Sequence, residues 1–114
     1  MSECLFCKIV KGDINLSKVM ETENVLAFND INPQAPVHVL VIPKVHISSI
    51  TKVQKEHSAL ISDMMQVINE VAKKTGIVES GFRVVVNHGE NAGQAVPHLH
   101  FHVLGGRKMT WPPG

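Results

Sequence analysis

Three histidines stand at alternate positions near the end of the chain, in the segment His98-Leu99-His100-Phe101-His102. If this segment is a strand, all three rings lie on one face, because the side chains of a strand alternate between its faces. A rise of about 3.3 Å per residue attaches neighbouring rings about 7 Å apart and the outer pair about 13 Å apart. This spacing does not suit one small ion. It indicates that the middle ring meets a substrate while its neighbours assist, and imidazole can act as acid, base, nucleophile or ligand near neutral pH.

Two further residues able to do chemistry lie near the start of the chain, where Cys4 and Cys7 form a Cys-x-x-Cys pair. In a reducing compartment this spacing indicates metal binding or redox chemistry more than a structural disulfide. The first residues lack the basic and apolar regions of a secretory signal, and no apolar run reaches membrane-spanning length. We therefore expect a cytoplasmic protein with no membrane partner.

The composition is that of an ordinary globular domain. The chain has 114 residues, of which 44% are hydrophobic and 18% are charged, and its formal net charge is +1. This length predicts one domain with one core. The near-zero charge excludes a polybasic binder, so we expect no nucleic-acid polymer as a partner.

The apolar pattern predicts an α+β architecture, a mainly antiparallel sheet with one long helix. A capping box between Thr51 and Gln54 is expected at the start of that helix. Between the last two strands, a glycine-containing loop over 88–95 can offer backbone N–H groups to an anion. The predicted elements are a short helix over 5–10, strands over 17–22, 24–29, 37–42 and 82–87, a long helix over 52–75 and the histidine strand over 96–104.

The histidine segment, with its apolar spacers through Leu104, resembles the defining motif of the histidine triad (HIT) family of nucleotide hydrolases and transferases. The C-terminal Trp-Pro-Pro-Gly looks like that of the Hint branch, which hydrolyses nucleoside phosphoramidates, and separates it from the dinucleoside polyphosphate hydrolases. His102 argues against the uridylyltransferase branch, which has glutamine there. The resemblance also covers Phe28–Pro36, Val41–Ile47, Val86-Asn87, Gly105–Arg107 and Trp111–Gly114.

The resemblance implies the HIT-like fold, with five strands, one long helix and a short N-terminal helix. It implies a single HIT domain over 1–114 and a homodimer across which the sheet continues. The tail over 105–114 would then lie near the dimer interface. Trp111 is expected at or near the partner's active site.

For catalysis the resemblance implies that His100 attacks the α-phosphorus and forms a nucleotidyl-histidine, which water then cleaves. His102 would contact the phosphate, Asn87 would contact the phosphate or the leaving group, and His38 is the additional histidine beside the triad. Such an intermediate is chemically reasonable, because it exchanges one P–N bond for another. No cofactor is expected for this chemistry.

The resemblance also implies the nucleotide contacts. Asp30 would accept hydrogen bonds from the ribose hydroxyls, and the backbone of Gly93, Gln94 and Ala95 would surround the phosphate. Hint proteins often have serine at position 95, where a hydroxyl can assist the leaving group. The apolar walls around a purine base would be Phe6, Ile9, Phe28, Ile31 and Leu40.

Some members of the family bind a structural zinc ion, and the matching positions here are Cys4, Cys7, His46 and His98. Four protein ligands make a closed tetrahedral site, which is typical of a structural and not a catalytic metal. The alternative is a pair of reduced thiols without metal.

The predicted function is hydrolysis of purine nucleoside phosphoramidates, such as adenosine 5′-phosphoramidate, to the nucleoside monophosphate and an amine. Three alternatives remain open. The first is a module that binds nucleotides or proteins without useful turnover, and the second is a metalloenzyme whose catalytic ion is held by the array from His98 to His102. The third is a dinucleoside polyphosphate hydrolase.

Overall fold

A five-stranded antiparallel sheet, with strand order β1-β2-β3-β5-β4, organises the computed structural model, which describes residues 4–114. Its helices and strands are α1 (Leu5–Lys11), β1 (Lys18–Glu21), β2 (Val25–Asn29), β3 (Val37–Pro43), α2 (Ser58–Thr75), β4 (Phe82–Val86) and β5 (Phe101–Gly105). The predicted fold class is confirmed. α1 and the first four strands agree with the predicted bounds to within one residue.

Helix α2 covers one face of the sheet. Its apolar stripe packs on the side chains that alternate strands direct to that face, as a 3.6-residue period and a two-residue period require. The helix ends at Gly76, whose φ of 75° is costly for other residues. The buried residues of this layer include Val25, Ala27, Val39, Val41, Met64, Ile68, Val71 and Val103.

The start of α2 differs from the prediction. The helix begins at Ser58, because residues 50–57 form two separate 3₁₀ turns, Ile50–Lys52 and Lys55–His57. Extended backbone at Val53 (φ −71°, ψ 132°) separates these turns. The capping box accordingly joins Gln54 and His57, and the expected box between Thr51 and Gln54 is wrong.

Helix α1 packs against the opposite face of the sheet. It begins after Cys4, whose Sγ accepts a hydrogen bond from the Cys7 N–H, and it ends at Gly12 with φ 87°. Strand β3 is buried along nearly its whole length because it has a layer on each face, as expected for a central strand. The buried residues of this second layer are Cys4, Phe6, Ile9, Leu26, Phe28, Leu40 and Ile42.

The histidine segment is less regular than predicted. Strand β5 begins at Phe101, so only His102 of the three histidines lies within it. The N–H of His98 donates to Val96 O at 2.8 Å, and that of Leu99 donates to Ile47 O at 2.6 Å. These bonds hold the residues after Pro97 outside the ladder between β3 and β5. The centroids of the His100 and His102 rings lie 5.1 Å apart.

Across residues 4–114, no helix is long and apolar enough to cross a membrane.

Candidate active site

A cavity of about 270 Å³ lies between α1 and the sheet, with histidines at one end and apolar side chains around most of its wall. Of the twelve residues predicted to contact a nucleotide, nine line it, namely Phe6, Ile9, Phe28, Asp30, Ile31, Leu40, Ala95, His100 and His102. Five other lining residues were not predicted, namely Leu5, Ile14, Leu16, Asn29 and Val96. The alternation of Ile14 and Leu16 within a polar segment is the signal that could have found two of them.

The remaining predicted contacts, Asn87, Gly93 and Gln94, are not among the lining residues. The Gly93 N–H donates to Glu90 O at 3.0 Å, and the Gln94 N–H donates to Gly89 O at 3.1 Å. Both N–H groups are therefore bonded within the loop, and that the backbone of Gly93, Gln94 and Ala95 surrounds the phosphate stays a prediction. Ala95 alone of the trio faces the cavity.

The side chain of Gln94 holds the same loop in place. Its amide nitrogen donates to Ser48 O at 2.9 Å and to Val96 O at 3.1 Å, and its amide oxygen accepts from the Gly89 N–H at 3.0 Å. The side chain thus fixes the loop that ends at Ala95.

His100 is held in one tautomer by the backbone next to it. Its Nδ1 lies 2.7 Å from the carbonyl oxygen of His98, and a carbonyl can only accept, so Nδ1 carries the proton. In a neutral ring the lone pair is then on Nε2. The ring is buried, and the edge-to-face contact with Phe6 (centroids 5.1 Å apart) supports it. His100 therefore presents an orientation suited to nucleophilic attack through Nε2.

His102 and His38 form a second fixed pair. The Gln34 N–H donates to His38 Nδ1 at 3.0 Å, which leaves the proton of a neutral His38 on Nε2. That Nε2 lies 2.9 Å from His102 Nδ1. His102 must therefore accept at Nδ1 and carry its own proton on Nε2. A cavity-lining N–H donor results, suited to a phosphoryl oxygen.

Both rings of this pair stay neutral near neutral pH. Burial, together with the neighbouring His100 and His38, lowers the pKa of His102 to about 4. Burial also lowers the pKa of His38, although the Asp30 carboxylate opposes that shift. The 3.4 Å contact between His38 Nε2 and Asp30 Oδ2 is consequently one of a carboxylate with a neutral N–H.

Asp30 presents its carboxylate at the wall of the cavity. Its Oδ1 accepts from the Asn32 N–H at 2.8 Å, and its own N–H donates to His38 O at 2.9 Å. These bonds fix the carboxylate between the turn after β2 and the start of β3. It can accept hydrogen bonds from a bound hydroxylated ligand.

A second cluster lies on the other side of Phe6, where the side chains of Cys4, Cys7, His46 and His98 place their ligand atoms within 4.8 Å of one another. The Sγ atoms of Cys4 and Cys7 lie 3.3 and 3.6 Å from His98 Nδ1, and His46 Nδ1 lies 3.3 Å from Cys7 Sγ. Separations of this size match the edges of a tetrahedron with Zn–S near 2.3 Å and Zn–N near 2.0 Å.

The tautomer of His98 fits a metal at this cluster. Its Nε2 lies 2.8 Å from Pro43 O, so the proton is on Nε2 and the lone pair of Nδ1 faces the thiols. A ligating histidine commonly donates its other N–H to a carbonyl in this way. Burial lowers the pKa of His98, which keeps the ring neutral, as a ligand requires. The four residues therefore fit a zinc ion.

The fold and the site together define a protein whose reactive groups are imidazoles in fixed tautomers, placed at one end of an apolar cavity that has a single carboxylate. Comparison with known protein families identifies the class of protein. The HIT domain matches residues 11–109, and the chain therefore belongs to the HIT domain family.

Two curated relatives and one solved structure illustrate the similarity. The "14 kDa zinc-binding protein" of Zea mays is 47% identical over 115 residues, covering 99% of this chain and 89% of that protein. "Adenylylsulfatase HINT1" of Arabidopsis thaliana is 43% identical, covering 99% of this chain and 78% of that protein. The crystal structure of a HIT family hydrolase from Legionella pneumophila Philadelphia 1 is 48% identical, with a TM-score of 0.96 over 98% of this chain and 100% of that one. The chain thus has the fold of a HIT-family hydrolase.

Proposed function

We propose that the protein is a nucleoside phosphoramidase that acts through a nucleotidyl-His100 intermediate. The observation that carries this proposal is the 2.7 Å bond from His100 Nδ1 to His98 O, because it leaves Nε2 as the free nucleophilic atom of a cavity-lining ring. Neutral imidazole is an effective nucleophile toward activated phosphorus near pH 7.

In the first step His100 Nε2 forms a bond to the α-phosphorus, and the bond between phosphorus and the amine breaks. The amine departs with the electron pair of that bond and takes up a proton from water. In the second step water attacks the same phosphorus and loses a proton to solvent, the electron pair of the bond to His100 returns to Nε2, and the nucleoside monophosphate is released. The N–H of His102 would stabilise the charge that grows on the phosphoryl oxygens in both steps.

The lining of the cavity suits a substrate that carries a nucleoside. Its wall beyond the histidines is mainly aliphatic and aromatic, which favours a flat base, and Asp30 is the charged residue that lines it. We assign the base to the walls made by Phe6, Phe28 and Leu40 and the ribose hydroxyls to Asp30. A purine is the proposed base.

Adenylyl sulfate is a second candidate substrate. The Arabidopsis relative is named an adenylylsulfatase, and no residue that lines the cavity carries a hydroxyl group, since position 95 is alanine. An amine leaving group requires a proton, whereas sulfate is already a stable anion. Within the described residues, the cavity offers no side-chain hydroxyl, so an amine would take its proton from water, whereas sulfate needs none; adenylyl sulfate is therefore a candidate beside the phosphoramidates.

We further propose a structural zinc ion at Cys4, Cys7, His46 and His98. Four protein ligands would leave no open position for water or substrate, so the ion would cross-link α1 to the segment before β5 and supply no chemistry to the reaction. The metalloenzyme alternative needs His98 beside His100 and His102, but the Nδ1 atom of His98 faces the thiols.

A homodimer is proposed on the exposed edge of the sheet. Within residues 4–114, β4 pairs with β5 alone, and its apolar residues Phe82 and Val84 are exposed. The tail lies against this strand, because the Arg83 guanidinium donates to Thr110 O at 3.0 Å and stands 5.8 Å from the centre of the Trp111 ring. Exposed apolar edge strands and an exposed tryptophan are typical of an interface.

We place this single-domain protein in the cytoplasm.

The decisive experiment is rapid quenching with substrate labelled at the α-phosphate, followed by digestion and mass analysis. The proposal expects the label on His100. The substrate panel should vary base and leaving group, and should include adenylyl sulfate and a dinucleoside polyphosphate. Nucleotide binding without measurable turnover on the whole panel would favour a binding module instead. Turnover that survives exhaustive chelation would count against a catalytic metal.

A further inference from the structure

We propose that the cluster of Cys4, Cys7, His46 and His98 is a positioning device for the nucleophile, so that metal loading holds His100 in its reactive tautomer. This inference rests on the proposed role of His100 and goes beyond a stabilising metal. The inference depends on one residue, His98. Its side chain belongs to the cluster, and its carbonyl contacts His100 in the active site.

His98 is fixed at three atoms. Nδ1 faces both thiols, Nε2–H donates to Pro43 O at 2.8 Å, and the carbonyl oxygen accepts from His100 Nδ1 at 2.7 Å. The ring is fully buried, with 0% of the residue exposed. A metal on Nδ1 would prevent the ring from taking the other tautomer and would keep the peptide after His98 in one orientation. The acceptor of the His100 proton would then be fixed as well.

A second connection runs through Phe6. This residue lies on α1 between the two cysteines, and its ring makes edge contacts with both His98 and His100 (centroids 5.8 and 5.1 Å apart). Helix α1 has seven residues, too few for a stable helix without tertiary support. Ligation of Cys4 and Cys7 would hold this helix, and with it a wall of the cavity.

The segment that carries His46, the remaining metal ligand, also contacts the residues just before His100. His46 is followed by Ile47, whose carbonyl accepts from the Leu99 N–H at 2.6 Å. All three ligand segments therefore meet at the two residues that precede His100. Since residues 98–100 lie outside the β5 ladder, these contacts replace the strand pairing that would otherwise fix them.

The inference predicts two linked effects of removing the metal. His100 should lose its single tautomer when the carbonyl of His98 becomes free to move, which lowers kcat. Nucleoside monophosphate should bind more weakly, because Phe6 moves with α1. Supporting groups around a metal site commonly change activity by about 10–100-fold, and we expect a kcat loss in that range.

The test compares zinc-loaded wild type, the same protein after chelation, and the Cys7→Ser variant. Long-range ¹H–¹⁵N spectra of histidine-labelled protein report the tautomer of each ring without any need for turnover. Single-turnover rates and monophosphate affinity are measured on the same samples. Val71→Ala is the matched control, because it destabilises the buried α2 layer without touching the cluster.

Support requires that His100 shows only the Nδ1–H form when loaded, that both forms appear after chelation, and that zinc restores the first. Val71→Ala must keep the single tautomer at matched loss of stability. An unchanged His100 spectrum and rate after complete metal loss would overturn the inference, and so would a purified protein that binds no metal. Absence of turnover in the loaded wild type would instead refute the proposed function, and the spectra would still decide the coupling.

Discussion

His38 Nε2 lies 2.9 Å from His102 Nδ1, and the backbone N–H of Gln34 occupies the other nitrogen of His38. One main-chain group thus determines the proton positions on two rings in succession. The final N–H, on Nε2 of His102, is the one available to substrate. His38 therefore acts as a positioning residue for His102 in the proposed mechanism.

Replacing His38 by alanine should reduce kcat because His102 would be free to place its proton on Nδ1. Loss of one preorganised donor typically costs about 10²–10³ in rate, which sets an upper limit for a residue that acts through His102. His38→Gln should recover part of the loss, since its amide can donate to His102 Nδ1. Steady-state rates of both variants and of His102→Ala test this order. A His38→Ala rate equal to wild type would disprove the positioning role.

His100→Ala should lose nearly all hydrolysis while it still binds nucleoside monophosphate. Loss of a nucleophile in a covalent enzyme can approach about 10⁶-fold in kcat. Asp30 and the apolar walls lie on other segments and remain in place, so calorimetry should show affinity close to that of wild type. If the variant kept more than a few per cent of turnover, free of host enzyme, His100 could not be the nucleophile.

The lowered pKa of His102 has a consequence for stability. Its folded pKa of about 4 lies below the ordinary 6.5, so between these values the unfolded chain binds more protons than the folded chain. Stability should therefore be fully present above about pH 6.5 and should fall as the pH drops toward 4, with burial of His38 and His98 acting in the same direction.

Thermal unfolding between pH 7 and 4 measures the slope of stability against pH. His102→Phe should show a shallower slope, whereas His88→Gln, at an exposed position, serves as the matched loss of one imidazole. Equal slopes in His102→Phe and wild type would contradict the assignment of the shift to His102.

The metal proposal predicts one zinc ion per chain in protein purified without a metal affinity column. Cys4→Ser should remove it and should lower the thermal midpoint, because α1 loses its tie to His98. A loss of about 1 kcal/mol shifts the midpoint of a domain of this size by about 4 °C or more. Elemental analysis and calorimetry test both parts. A zinc content near zero in a fully reduced sample would defeat the assignment.

The sequence predicted regular elements better than the contacts between them. The stripe containing Met64 and Ile68 identified α2, and the apolar run of β3 identified a central strand, because burial periodicity is local information. The partnership of His38 with His102 depends on the register that places Leu40 opposite His102. No local pattern determines that register.

The histidine segment shows the same limit more clearly. Alternation predicted three rings on one strand face, but the bonds from His98 and Leu99 to Val96 and Ile47 keep the first two histidines out of the strand. The bond to Ile47 joins segments far apart in the sequence, so alternation within the segment could not reveal it. Likewise, the bonds that occupy the N–H groups of Gly93 and Gln94 depend on how the loop closes.

The last prediction concerns the tail and the edge of the sheet. If β4 is the dimer interface, Val84→Lys should yield monomers, because it places a charge at the centre of the exposed apolar edge. Removal of residues 110–114 should change leaving-group selectivity more than folding, since Trp111 is 80% exposed and adds little to the core. Light scattering and a leaving-group panel measure these effects, with Met65→Lys on the exposed side of α2 as the control. Monomeric wild type at micromolar concentration would contradict the dimer, and unchanged selectivity after truncation would separate the tail from the active site.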